Sequence, residues 1–447
     1  MHFDLIVIGM GLSGLMAAKT ATESGMKVLI VGKGMGSLCL FSNTIDVLGQ
    51  FPKTTKMELH KQAPDVDSNV PRGEHPVPEG QFTRRQVIGP LGTGMRDNLS
   101  QWIKNHPDHP YSKVGLEKVE EALSSFLSLF PPPYSFETIN HMTCLLPTGA
   151  GTLRPTYLIP MTMVGGTLVE GGNTLIVGFK GFKDFYAHYV ADQLKSRGTT
   201  LSLPDAFHDE MTATALARRM EIKSFRERIG KEIKNQLHDE ILVGFPALLG
   251  LHSPTQVKEN LEEIIGAQVF EIPILPPSIP GMRIFNRFKQ WLIHKGVTFL
   301  LGYSVSKATT KSRRCEGIEV LHPPKITTYS ADCYILATGR FIGGGLKADH
   351  ERIFEPIFNL IVSQPQSREG WFSHSFFNDP PHPIHKGGIL ANLSFQPVDE
   401  KGELILENVW VSGSILSHHD SIDEKSREGI EIATGYTAAK HALDTYK

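Results

Sequence analysis

A chain of 447 residues exceeds the length at which one hydrophobic core keeps growing, so two lobes are expected. With 40% hydrophobic and 21% charged residues it has the composition of a folded globular protein, which excludes a disordered chain. A formal net charge of −2 leaves no general electrostatic pull toward nucleic acid or anionic lipid.

The N-terminus, Met1-His2-Phe3-Asp4, has no basic n-region, so no signal peptide is read there. Residues 3–8 form a short apolar run ending in glycine, 12–23 a helix-like stretch closed by Ser24-Gly25, and 27–31 a second apolar run. That is strand, helix, strand, in the roughly 30 residues of one βαβ unit. From 51 to 90 six prolines interleave with charges, and a surface excursion is expected. Helical spacing returns over 99–106 and 114–130, and Pro131-Pro132-Pro133 stops the second helix. A strand over 174–179 and a helix over 184–196 follow, then a polar helix over 212–239 and a Pro-interrupted apolar run at 242–251. A proline-rich hinge at 272–280 leads to an amphipathic helix at 283–295 and strands near 297–301, 317–320, 333–337 and 409–411, with 423–446 as the closing helix. Nowhere does an uncharged apolar run reach the roughly 20 residues a membrane helix needs, so membrane contact is expected only through partners. Cys39, Cys144, Cys315 and Cys333 lie far apart without a Cys-x-x-Cys, which argues against a zinc site or iron–sulfur cluster and fits a reducing cytoplasm.

The strongest local signal is Gly9-Met10-Gly11-Leu12-Ser13-Gly14, directly after a strand and opening a helix. Gly9 serves the tight turn, Gly11 lets backbone approach a phosphate, and Gly14 lets the helix pack on the strand. The free amides and positive dipole end of that helix then face the anion. An acidic residue at the end of the second strand is the usual ribose anchor, and here the strand runs into Gly32-Lys33-Gly34 instead. Two readings stay open: FAD held by other contacts, or FMN with its phosphate on the turn. Lys33 is placed to pair with a phosphate or to stay a solvated charge.

Two downstream segments point to flavin. The run Asp332-Cys333-Tyr334-Ile335-Leu336-Ala337-Thr338-Gly339 resembles the Ala-Thr-Gly strand end of flavoproteins with the glutathione-reductase-type fold. Glu407-Asn408-Val409-Trp410-Val411-Ser412-Gly413-Ser414 resembles their ribityl-binding Gly-Asp segment, with Ser414 in place of the acid. Together these imply an α/β fold: a discontinuous Rossmann-like FAD/NAD(P)-binding domain over 1–50, 295–345 and 400–447, an inserted α+β lobe over 51–294, and a loop-rich connection over 346–399. Loss of both acids also permits a protein that kept the fold and lost its cofactor. In the closing helix, Ser421-Ile422-Asp423-Glu424 reads as a capping box; a start near Gly429 would instead aim free amides at a flavin.

Several further segments resemble, from end to end, the family formed by the B subunits of anaerobic glycerol-3-phosphate dehydrogenase: Phe41-Ser42-Asn43-Thr44-Ile45-Asp46-Val47-Leu48, Gly151-Thr152-Leu153-Arg154-Pro155-Thr156, the run from Gly178 through Asp184-Phe185-Tyr186-Ala187-His188, and Leu275-Pro276-Pro277-Ser278. The resemblance implies an FMN-bearing electron-transfer subunit working with an FAD-binding sister that oxidises sn-glycerol 3-phosphate to dihydroxyacetone phosphate. It also implies an iron–sulfur subunit that reaches the membrane and quinone, and a cytoplasmic location, at the inner face of the membrane through partners. A stand-alone FAD oxidoreductase acting on a small hydroxy substrate is the alternative.

The residues expected at the cofactor are Gly9, Gly11, Gly14, Gly32, Lys33, Ser42, Thr338, Gly339, Arg340, Gly413 and Ser414. Arg154, in a glycine-rich loop, either clamps a phosphate or flavin carbonyl or makes a structural salt bridge. Ser42 and Asp46 fall where the chain returns past the cofactor, and Asp46 reads equally as a cap. His188 is a candidate catalytic residue or a packing histidine. His418-His419 near Asp420 lacks further ligands at metal spacing, and no metal site is expected.

Overall fold

A computed structural model describes residues 2–49, 94–169, 172–203, 211–374 and 381–446, so the proline-rich stretch expected as an excursion lies outside the described residues. The principal sheet is built on His2–Ile8, whose Leu5, Ile6 and Val7 are wholly buried because both faces are covered. Five strands run parallel in the order Thr298–Leu301, Val28–Gly32, His2–Ile8, Lys325–Leu336, Val409–Val411. That is the 3-2-1-4-5 order of a doubly wound dinucleotide fold. The fourth strand spans 12 residues and serves two sheets. Its second half pairs with His2–Ile8, and its first half closes an antiparallel meander with Arg314–His322 and Ser304–Lys311.

Helix Leu12–Glu23 lies against the closing helix Arg427–Tyr446, which approaches so closely that a Cβ on Gly435 would stand 2.3 Å from the Ser13 carbonyl oxygen. Two groups of helices assigned by sequence to the inserted lobe join this same core. Met95–Asn105, Pro110–Val114 and Leu116–Leu127 enter it through Leu99, Tyr111, Val119 and Phe126, and Ile279–His294 through Ile284, Phe285, Phe288 and Leu292.

The second core belongs to a four-stranded sheet in the order Gln268–Ile272, Leu242–Pro246, Thr174–Phe179, Arg197–Leu201, every pair parallel. Helices Ala187–Gln193, Ala213–Met220, Lys223–Lys234 and Pro254–Ile265 supply the crossovers. The expected α+β character of this lobe is therefore corrected to α/β, because parallel neighbours need helical crossovers. The sequence reading missed strand Gln268–Ile272 and ran two helices together across Glu221-Ile222. Short antiparallel ribbons, Cys144–Pro147 with Leu153–Thr156 and Phe136–Glu137 with Ile159–Pro160, are the only part of the lobe's described residues that fit the first expectation.

A buried ion pair ties the two cores together. Arg283, on the helix that packs into the first core, makes a bidentate contact with Glu271 of the second sheet, Nη1 to Oε2 at 2.7 Å and Nη2 to Oε1 at 2.8 Å, while its Nε donates to the Gly250 carbonyl at 2.8 Å. Burial alone would lower the guanidinium pKa, and the adjacent Glu271 charge reverses this and holds it above its ordinary value. Removing one partner strands the other charge in a dry interior. We expect Glu271→Gln to lower unfolding stability by about 3–5 kcal/mol, read as a drop in urea midpoint.

Candidate functional site

The principal strands end together under one cavity of about 920 Å³, at the carboxyl edge of the sheet where open α/β folds bind ligands. Its floor is the first turn. Gly9 has φ +119°, and a Cβ there would lie 2.2 Å from the Ala337 carbonyl oxygen. Gly14 approaches the Gly9 carbonyl just as tightly, its Cβ position lying 2.1 Å away, and so seats the helix on the turn without lining the cavity. Gly11, the residue preceding helix Leu12–Glu23, differs from both: a Cβ there meets nothing within 4 Å, because it points into the open cavity.

The opposite wall comes from distant sequence. Thr338, Gly339, Arg340, Gly413 and Ser414 all line the cavity together with Gly9, Gly11, Gly32 and Lys33. Gly413 adopts φ +81° and donates its N–H to Thr434 Oγ1 at 2.8 Å, which anchors this loop to the closing helix. Thr338 Oγ1 is buried without a hydrogen-bond partner among the described residues. Lys33 has no ion-pair or hydrogen-bond partner among the described residues.

Three expected residues are elsewhere. Ser42 bonds Thr44 Oγ1 at 3.1 Å and does not line the cavity. Arg154 takes the salt-bridge alternative: its Nε donates to buried Asp46 at 2.6 Å. His188 is exposed on helix Ala187–Gln193 of the second lobe, away from the cavity, because the Asp-Phe-x-Ala-His run packs its Phe185 and Ala187 inward and turns the histidine out. Among the described residues no group of three metal-ligating side chains occurs.

The closing helix begins at Arg427, close to Gly429, so the capping-box start at Ser421 is not realised and the later start is. Asp420 Oδ1 accepts from the amides of Ile422 and Asp423, and Glu424 Oε1 accepts from the Asp420 amide, closing a separate turn ahead of the helix. Arg427 and Glu431 reach the cavity from the first helical turn, while the Gly429 amide is taken by the Asp46 carbonyl at 3.0 Å. Burial raises the Asp46 carboxyl despite Arg154, Thr156 and Thr44. Burial and then the charge of Asp46 push Glu428 up to about 7, and burial pushes Glu431 to about 7 against the pull of Arg427. Sequence inspection missed Glu428 and Glu431, although they stand three apart at a helix start, on one face.

Arg340 is half-buried in the cavity wall, with its guanidinium held by backbone carbonyls. Its Nη1 donates to the His385 carbonyl and its Nη2 to the carbonyls of Leu416 and His419, both at 3.1 Å. Burial lowers its pKa to about 10, with Asp420 and Glu424 acting the other way. His419 is fully buried and held well below its ordinary pKa by burial and by Arg340.

A flavin fits what these residues offer: open space over Gly11, free first-turn amides and Lys33 for its phosphate, and a Thr338 hydroxyl that has no partner among the described residues. Sheet order, glycine turn and cavity together define a flavoprotein of the dinucleotide-binding class. The chain belongs to the FAD binding domain family, which matches residues 4–76 and 93–425, and its cofactor is a flavin. It is 28% identical over 459 residues to a Halobacterium salinarum protein named as the probable B subunit of anaerobic glycerol-3-phosphate dehydrogenase, covering 99% of this chain and 98% of that protein. It is 27% identical over 468 residues to the B subunit of the anaerobic glycerol-3-phosphate dehydrogenase of Vibrio cholerae, covering 100% and 98%. Among solved structures it is similar to the 3-ketosteroid delta1-dehydrogenase of Sterolibacterium denitrificans, with 11% identity, TM-score 0.43 and coverage of 99% of this chain and 100% of that one.

The buried Glu431 makes a sign-definite prediction. A carboxyl raised to about 7 from an ordinary 4.5 binds its proton more tightly folded than unfolded. Its contribution is therefore whole below about pH 4.5 and is lost as pH climbs through about 7. Glu431→Gln in flavin-free protein should gain urea midpoint relative to the unaltered chain across that window and show no relative gain below it.

Proposed function

We propose that this chain is the flavin-bearing electron-transfer subunit of an anaerobic glycerol-3-phosphate dehydrogenase complex, and that the flavin is FAD. The observation carrying the proposal is the cavity itself: one continuous space bounded by the glycine turn, the Thr338–Arg340 loop, Gly413-Ser414 and the start of the closing helix. Full-length similarity to proteins named as the B subunit of that dehydrogenase supports the choice of complex.

Within this reading the amides after Gly11 hold phosphate, with Lys33 as a cation beside them. Thr338, Gly339 and Ser414 border the ribityl chain, and Ser414 offers a neutral hydroxyl where a carboxylate is usual. The positive end of helix Arg427–Tyr446 favours negative charge on the ring. When bound, flavin supplies the redox chemistry and the protein supplies position and electrostatics.

FMN, the cofactor implied by the family resemblance and compatible with the missing ribose acid, has no specific support. FAD is favoured by the family match and by the cavity's extent, which continues past Gly32–Gly36 to Tyr303, Ser304, Val305 and Ser306 and leaves a wall for an AMP half. An FAD-binding catalytic sister and an iron–sulfur subunit at the membrane complete the proposed assembly. No helix among the described residues is long and apolar enough to cross a membrane, and membrane attachment through a partner is part of the proposed assembly.

Purified protein should be yellow and bleach on reduction, and acid should release FAD by chromatography. Released FMN would overturn the FAD assignment, and colourless protein that still co-purifies with partners would leave only a scaffold. Gly11→Ala should weaken flavin binding by at least about tenfold, read by fluorescence titration, at nearly unchanged flavin-free stability, because its methyl enters only ligand space.

A further inference from the structure

The cavity wall carries a pair of side chains that the electron-transfer reading leaves without a task. His385, in the turn Pro383–Lys386, and Asp420 both line the cavity, with His385 Nδ1 3.2 Å from Asp420 Oδ2. A carboxylate can only accept, so Nδ1 carries the proton and the lone pair of the neutral ring sits on Nε2. Nε2 has no hydrogen-bond partner among the described residues.

Both members are held from behind. Arg340 fixes the His385 backbone through its carbonyl. Asp420 is 1% exposed, and its other oxygen is occupied by the amides of Ile422 and Asp423 at 3.1 and 3.2 Å. Glu424 accepts from the Asp420 amide at 2.8 Å, from Ser426 Oγ at 2.9 Å and from His109 Nε2 at 3.1 Å. The Tyr111 amide donates to His109 Nδ1 at 3.1 Å, which fixes the tautomer that donates to Glu424. Burial would raise the Glu424 carboxyl, but the hydrogen bond from His109, helped by the one from the Asp420 amide, outweighs it and holds the carboxyl well below its ordinary value. A surface ion pair needs no such backing, whereas a base that must present one tautomer in one direction does.

The charged groups sharing this cavity are Lys33, Arg340, Lys347 and Arg427 against Asp420 and Glu431. Arg427 has a buried Nη1 without a partner among the described residues, and its guanidinium lies 3.3 Å from the centre of the Phe41 ring. The excess is cationic, and a phosphate is the anion that a forked guanidinium suits.

We propose that this chain itself oxidises a small phosphorylated alcohol, with His385 as the proton acceptor for its hydroxyl and Asp420 as the positioning residue. The proposal rests on the flavin reading of the cavity. The O–H bond breaks and its proton goes to His385 Nε2; the C–H bond at the same carbon breaks and its hydride goes to the oxidised flavin; the C=O bond forms. Electrons thus enter the complex through this chain as well as through a sister.

The test uses the full chain loaded with flavin, mixed anaerobically with sn-glycerol 3-phosphate while the visible band is followed. The unaltered chain should bleach, and His385→Gln should bleach about 10²–10⁴-fold more slowly, while inorganic phosphate perturbs the flavin spectrum equally in both. Asp420→Asn keeps an oxygen for the two amides but turns an N–H toward His385, so the ring proton moves to Nε2. Imidazole ¹⁵N shifts should report an Nδ1-protonated ring in the unaltered chain and an Nε2-protonated ring in this variant, with bleaching slowed likewise. Should Asp420→Asn fail to fold, His385→Gln decides alone. Flavin that dithionite bleaches but glycerol 3-phosphate does not, or His385→Gln bleaching at the unaltered rate, overturns the proposal. Protein with no dithionite-bleachable band overturns the flavin reading itself.

Discussion

The backbone contact between Gly9 and Ala337 is the constraint on which the rest of the site depends. The Ala337 amide donates to the Ile8 carbonyl at 2.8 Å, and its own carbonyl stands where a Cβ on Gly9 would be. That approach continues the pairing of His2–Ile8 with Lys325–Leu336 to its last rung, Ile8 with Leu336. Only because the two strands end side by side do a phosphate-binding turn and the distant loop Thr338–Arg340 become two walls of one crevice. A residue larger than glycine at position 9 would meet both a positive φ and a clash with backbone that cannot yield.

Charge is sorted by depth around that crevice. Lys33, Arg340, Lys347 and Arg427 reach the cavity, while Asp46, Glu424 and Glu428 are buried behind it. The outward cations favour a phosphate-bearing ligand. The acids behind are not equivalent, since hydrogen bonds from His109 and its neighbours keep Glu424 ionised whereas burial beside Asp46 pushes Glu428 up to about 7. The same physical chemistry separates two adjacent residues of one turn. His419 is sealed in and held neutral, and Asp420 is fixed by amides with one oxygen left for His385.

The second lobe is attached to this arrangement through helix Ile279–His294. Its first turn is anchored to the loop that follows the first βαβ unit: the Ser278 amide donates to the Cys39 carbonyl at 2.8 Å, and Asn43 Nδ2 donates to Ser278 Oγ at 2.9 Å. Its Arg283 reaches Glu271 of the other sheet. Cys39, Leu40 and Phe41 line the cavity, so the segment that shapes the ligand space is also the one that carries the connection between cores.

Features governed by neighbours in the chain were legible from sequence alone. The strand-turn-helix of Gly9–Gly14, the apolar run into Ala337-Thr338-Gly339 and the Gly413-Ser414 turn obey steric rules that act over a few residues, and each lies at the cavity. What tertiary structure decided was every pairing across sequence distance. Arg154 resolved into a partner of Asp46, 108 residues away, His188 was turned to solvent, and His385 met Asp420 across 35 residues. The parallel order of the second sheet was likewise hidden, because a buried strand such as Gln268–Ile272 carries no alternation to mark it. Local backbone sterics are written in residue type, whereas the partner of a charged side chain depends on which strands come to lie side by side, and no short window of sequence contains that.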